Sequence, residues 1–75
     1  MGDKLPRLTA SQIIKVLEKL GFEKVRSSGS HLIYRNEVGL RATVPFHGKV
    51  VLHPKILKTI LRDVDMTVEE LRKFL

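Results

Sequence analysis

Apolar residues recur along this chain in distinct rhythms, and each rhythm predicts an element. Ile13, Ile14, Leu17 and Leu20 repeat at the spacing of one helix face, with Lys15, Glu18 and Lys19 on the other side. Thr9 and Gln12 form a capping box ahead of them, and Leu8 and Ile13 are placed to staple across it. Gly21 sits where a left-handed residue ends a helix, and Phe22 is positioned to fold back on Leu17. The pattern predicts a helix over about 10–20.

Beyond Gly21 the period shortens. Residues 22–27 read as a strand, Ser28-Gly29-Ser30 as a turn, and 31–36 as a second strand. After a loop around Glu37-Val38-Gly39, Leu40, Ala42 and Val44 alternate with Arg41 and Thr43 in a third strand that Pro45 ends. Connections this short imply an antiparallel meander. Leu32, Ile33 and Tyr34 are all bulky, so periodicity leaves open which face of the second strand is buried. Residues 46–52 read as a loop or a short irregular extension. Pro54 suits the first turn of a helix whose stripe is Ile56, Leu57, Ile60, Leu61 and Val64, edged by Lys55, Lys58 and Arg62. Thr67 with Glu70 is a second capping box and Met66 with Leu71 a second staple, and Phe74 and Leu75 would pin that last helix to the body. The order α-β-β-β-α-α carries no repeat, linker or low-complexity segment. Its simplest packing is an α+β fold with helices on one face of a three-stranded antiparallel sheet.

Composition narrows the function classes. Seventy-five residues make one domain, expected over 1–75 with a core over about 9–64 and a C-terminal helix over about 67–75. The absence of cysteine removes disulfides, Cys-type zinc fingers and thiol catalysis together, and fits a reducing cytoplasm. No apolar run approaches the ~20 residues of a membrane span. Met1-Gly2-Asp3-Lys4 has no apolar signal core, so a cytoplasmic protein without membrane partners is expected. Fourteen Lys and Arg against eight Asp and Glu leave a net charge of +6, which suits a polyanion, an acidic protein or an anionic surface, or simply a lysine-rich soluble domain.

Gly29-Ser30-His31 is the tripeptide most suggestive of chemistry. The glycine permits a tight turn and a close approach, the serine offers a hydroxyl, and an imidazole both takes and gives a proton near neutral pH. Placed against RNA, His31 would take the proton of a ribose 2′-hydroxyl or protonate the leaving 5′-oxygen. An ordinary surface histidine bonded to backbone reads the same in sequence. His47 would supply a second proton-transfer group or a phosphate contact, and His53 is equally placed to cap the helix that Pro54 opens. The spacing of the three histidines matches no standard metal motif, so no metal site is expected. Arg26, Arg35 and Arg41 on the strands, with Lys49, Lys55 and Lys58 around the second helix, are the candidate RNA contacts; a solvated charged face is the plain alternative. Tyr34 and Phe46 are the candidates for base stacking.

The order of Leu20-Gly21-Phe22, Gly29-Ser30-His31 followed by Leu32-Ile33-Tyr34-Arg35, Thr43-Val44-Pro45-Phe46-His47 and Leu57-Lys58-Thr59-Ile60-Leu61 resembles the HicA family of toxins from type II toxin–antitoxin pairs. The resemblance covers about residues 9–61. It implies a fold like the double-stranded RNA-binding domain and a ribonuclease acting on messenger RNA, with no metal or other cofactor. It implies His31 as the catalytic residue, with Gly29, Ser30 and His47 in support, and a HicB-type antitoxin that covers that histidine. Relatives commonly carry a glycine and a small hydroxyl residue just before the position of Leu57, where this chain has Pro54-Lys55-Ile56; an earlier and stiffer helix start follows. A non-catalytic RNA-binding module of the same fold, or a protein-interaction domain with an acidic partner, would share the composition.

Overall fold

Helix α1 runs over Ala10–Lys19 in the computed structural model, which describes residues 5–75. The 1–4 segment, read above as lacking an export signal, lies outside the described residues. The capping box closes as expected: the Thr9 N–H donates to Gln12 Oε1 at 2.8 Å, and the Gln12 N–H donates to Thr9 Oγ1 at 3.4 Å. At the other end Gly21, with φ +93°, lets the Phe22 N–H reach the Leu17 carbonyl (2.9 Å) and its own N–H reach Glu18 (3.0 Å). That is a Schellman exit. The buried face is Ala10, Ile13, Val16 and Leu17. Leu20, expected in the stripe, is exposed because it is the C-cap and stands past the edge of the core.

Strands β1 (Glu23–Ser28), β2 (His31–Arg35) and β3 (Arg41–Pro45) form an antiparallel sheet in that order. Pro45 ends β3 as expected, and as the last residue of the strand it still pairs, opposite His31. The reason is hydrogen-bond phase. The Phe46 N–H donates to the Ser30 carbonyl at 2.6 Å, so Phe46 and Ser30 are a hydrogen-bonded pair and Pro45 and His31 are not. The missing N–H of Pro45 therefore falls on the outer edge of the sheet, where nothing needs it.

Side-chain alternation assigns the faces. Leu32 and Tyr34 oppose Val44 and Ala42, and Tyr34, Ala42 and Val44 are buried. This is the helix-covered face, and it resolves the ambiguity of the Leu32-Ile33-Tyr34 run. Helices α1 and α2 pack over β3, leaving every residue of β1 exposed.

Helix α2 spans Pro54–Asp63 and α3 spans Val68–Arg72. His53 is the N-cap of α2, its Nδ1 accepting from the Lys55 N–H at 3.1 Å, with Pro54 in the first turn. Leu57, Ile60 and Leu61 are buried, whereas Ile56, expected in the stripe, stays exposed one position around the helix. The exit of α2 repeats that of α1 with Asp65 in the glycine's place: φ is +57°, and the Met66 N–H reaches the Leu61 carbonyl at 2.8 Å. The second capping box forms at Thr67 and Glu70. Leu71 is buried and Phe74 packs partly against the core, but Leu75 is 61 % exposed and pins nothing. The buried side chains form one cluster from Leu8 to Leu71, and the Leu52 N–H ties to the Leu8 carbonyl at 2.8 Å to close it below the 46–53 loop.

Candidate active site

The Gly29-Ser30 pair is the whole loop of the β1–β2 hairpin, since Ser28 and His31 are already paired. Gly29 has φ +59°, while Ser30 is not among the residues with positive φ. Positive then negative is the sign pattern of a II′ turn, whose first position calls for glycine. The turn puts His31 at the first position of β2, exposed, on the face that no helix covers.

That open face is a small grid. Ser28, His31 and Pro45 make its first row, Arg26, Ile33 and Thr43 its second, and Glu23, Arg35 and Arg41 its third. Rows are separated by two residues, about 6.8 Å. Arg26 is the diagonal neighbour of His31, about 7–8 Å away between backbones. A phosphate lying against the imidazole is therefore within reach of a guanidinium.

The loop after β3 approaches the same end of the sheet. The Phe46–Ser30 hydrogen bond fixes its start, and the His47 carbonyl accepts from the Val50 N–H at 3.3 Å around Gly48 (φ +64°). His47 and Lys49 thus belong to a turn anchored beside the Gly29-Ser30 loop, and both are exposed. Phe46 is partly exposed there as well.

Other expected contacts go elsewhere. Lys55 and Lys58 sit on α2, in the helical layer; Lys58 borders grooves against α3 and against the Leu5-Pro6-Arg7 segment, not the open sheet face. Tyr34 is 4 % exposed on the helix-covered face and cannot stack on a base. Burial, and then the Glu18 carboxylate, push its phenol above the usual tyrosine range. His53 is occupied in capping α2. No three His, Cys, Asp or Glu side chains among the described residues converge as metal ligands would.

With the hairpin, the exposed histidine and the arginines of the same face in place, comparison with known families becomes decisive: the model of HicA toxins of bacterial toxin–antitoxin pairs matches residues 10–66. The chain belongs to the HicA toxin family. The match begins at the first residue of α1 and ends at the Schellman residue Met66, so α3 alone falls outside it. Its helix, three antiparallel strands and following helices give the arrangement expected of a HicA toxin, like that of a double-stranded RNA-binding domain. No curated protein gave a significant match to the chain. Among the described residues no helix is long and apolar enough to cross a membrane.

Two features of this HicA face were not foreseen from sequence. Val25 is the extra residue of a bulge in β1, since Lys24 opposes Tyr34 and Arg26 opposes Ile33. Arg35 and Arg41 oppose each other directly. The bulge has no local signature, whereas the arginine pairing follows once the β2–β3 loop length is known.

Proposed function

We propose that this HicA-family toxin is a metal-independent endoribonuclease that cuts messenger RNA with His31. The single domain over 1–75 holds the site on the open sheet face and needs no cofactor. The observation that supports the reading is the placement of His31: exposed at the head of β2, held by a two-residue turn, and diagonal to Arg26 on a helix-free face.

The chemistry follows from what an imidazole can do there. His31 accepts the proton of a ribose 2′-hydroxyl as that oxygen attacks the adjacent phosphorus. The bond from phosphorus to the 5′-oxygen breaks, leaving a 2′,3′-cyclic phosphate on one fragment and a 5′-hydroxyl on the other. The departing oxygen takes a proton from solvent or from His47, which the anchored turn keeps at this end of the sheet. Gly29 and Ser30 shape the turn and offer polar atoms to the phosphate, while Arg26 offsets its charge. One acid–base group is worth about 10²–10⁴-fold in rate.

The partner proposed alongside RNA is a HicB-type antitoxin that covers His31. No carboxylate shares the first two rows of the face, so an acidic antitoxin meets no like charge there. Induced expression in a bacterial host tests the reading: growth should stop, messenger RNA should shorten, and a His31→Ala protein made at the same level should do neither. Growth arrest with intact messenger RNA would leave the non-catalytic RNA-binding module in its place.

A further inference from the structure

The far end of the open face carries more positive charge than folding explains. Arg35 and Arg41 are directly opposed across β2 and β3. Hydrogen-bond phase makes the crowding worse: Asn36 and Leu40 form the bonded pair beyond them, with the Asn36 N–H on the Leu40 carbonyl at 3.1 Å, so Arg35 and Arg41 are a non-bonded pair. Backbones of such pairs approach to about 4.5 Å, and like charges placed so are destabilising. Glu23, opposite Arg35 on the other side, is the one acidic residue of that row and makes no ion pair with it among the described residues.

Two apolar side chains lie beside these cations. Val25, thrown outward by the bulge and 57 % exposed, and Ile33, half-buried, border a depression of about 410 Å³ with Arg26, Arg35, Gly39 and Arg41. That volume is at the lower end of small-ligand sites. A guanidinium pair is suited to grip a phosphate, since its planar forks match the oxygens. A valine and an isoleucine beside it are suited to the face of a base, which only an unstacked nucleotide presents; guanidinium planes stack on such bases too.

We propose that this depression is a binding subsite for one unpaired nucleotide of the RNA strand: the Arg35–Arg41 pair holds its phosphate and Val25 and Ile33 carry its base. The proposal rests on RNA being the substrate and adds where the strand goes. It leaves His31 along β2, passes Arg26, and reaches the arginine pair about 13 Å on, four residues along the strand. The repulsion stored in the free protein is released when the phosphate arrives.

Binding can be read without cleavage. The His31→Ala protein is titrated with a fluorescent ten-nucleotide single-stranded RNA at several salt concentrations, with and without the added changes Arg35→Gln and Arg41→Gln. Losing the pair should weaken binding about tenfold or more, as for charge-assisted hydrogen bonds. The slope of log affinity against log salt should fall by about 0.7, for one single-strand phosphate contact. Changing Lys15 and Lys19 on α1 to Gln removes the same charge and should shift affinity less than threefold. The free Arg35→Gln, Arg41→Gln protein should melt no lower than its parent, because a repulsion has been removed. The same RNA annealed to its complement should compete at least tenfold less well.

Equal weakening by the lysine and arginine changes, a lower melting temperature in the arginine variant, or equal competition by duplex would each overturn the subsite. Poly-glutamate titrated against the same proteins gives the remaining arm: if the arginine changes abolish its binding and leave RNA binding unchanged, the subsite is overturned in favour of an acidic protein partner. If the subsite behaves as expected while the protein with His31 intact leaves RNA uncut, the subsite stands and the ribonuclease reading fails.

Discussion

Replacing Gly29 separates the turn from the chemistry. Its φ of +59° lies where an L-residue with a β-carbon is strained by about 1–2 kcal/mol. Beyond Gly29 and its two chain neighbours no atom lies within 4 Å of where that β-carbon would stand, so clash with the rest of the protein adds nothing. Alanine also restricts the unfolded chain, which returns about 0.4–1 kcal/mol. The net expectation for Gly29→Ala is a loss of about 0.5–1.5 kcal/mol, against a total stability of order 5 kcal/mol for a domain this small. For a chain of this length that lowers the melting temperature by roughly 3–10 °C. At 75 residues the chain is accessible to chemical synthesis, which permits the mirror test. D-alanine at position 29 favours positive φ, so strain vanishes and the entropy term remains, raising the melting temperature by a few degrees. Thermal unfolding by circular dichroism reads both, and RNA cleavage on the same samples reads the site. The reasoning fails if L-alanine melts with the unmodified chain, or if D-alanine is the more damaging of the two.

Three further outcomes follow from the helices. Asp65 holds the left-handed position that ends α2, so Asp65→Gly should gain up to about 1 kcal/mol in urea denaturation; a loss would mean that the aspartate side chain does more than tolerate the turn. Glu70 is held below the usual glutamate range by hydrogen bonds to Thr67, backbone first and side chain second. A lowered carboxylate stabilises above its unfolded pKa of about 4.3 and loses that contribution as pH falls through its folded value. The stability gap between the unmodified protein and Glu70→Ala should therefore be constant near neutrality and narrow below about pH 4; a gap unchanged at pH 2 would contradict this. Leu57 is fully buried between α2 and the sheet, and Leu57→Ala should cost about 2–5 kcal/mol, enough to leave much of the protein unfolded at 37 °C.

The parts of this molecule legible in sequence are those set by local physics. Both capping boxes, the Gly21 exit and Pro54 at the start of α2 act within four or five residues, so the residues that make them also announce them. The buried strand positions Ala42 and Val44 show in simple alternation. What stayed hidden depends on pairing. The sequence run Leu32-Ile33-Tyr34 could face either way until β3 was laid beside it, and with it went the fate of Tyr34. Pro45 is legible as the end of β3, but that it still pairs with His31 follows only from the hydrogen-bond phase. Of the six candidate RNA cations, Arg26, Arg35 and Arg41 share a face because strand register brings them there, while Lys55 and Lys58 ride on a helix that turns to the other layer. A net charge of +6 suits a polyanion without locating it; register says which of the cations share a face.

The most direct test of His31 as the proton acceptor is single-turnover cleavage of a short RNA in EDTA. The RNA carries one 2′-deoxy nucleotide on the 5′ side of its main cleavage position. The expected result is fast cleavage of the all-ribose strand to a 2′,3′-cyclic phosphate end, no cutting at the deoxy position, and a rate about 10²–10⁴-fold lower for a folded His31→Ala protein. Cutting at the deoxy position, or a His31→Ala rate within a few-fold of the unmodified protein, would contradict it.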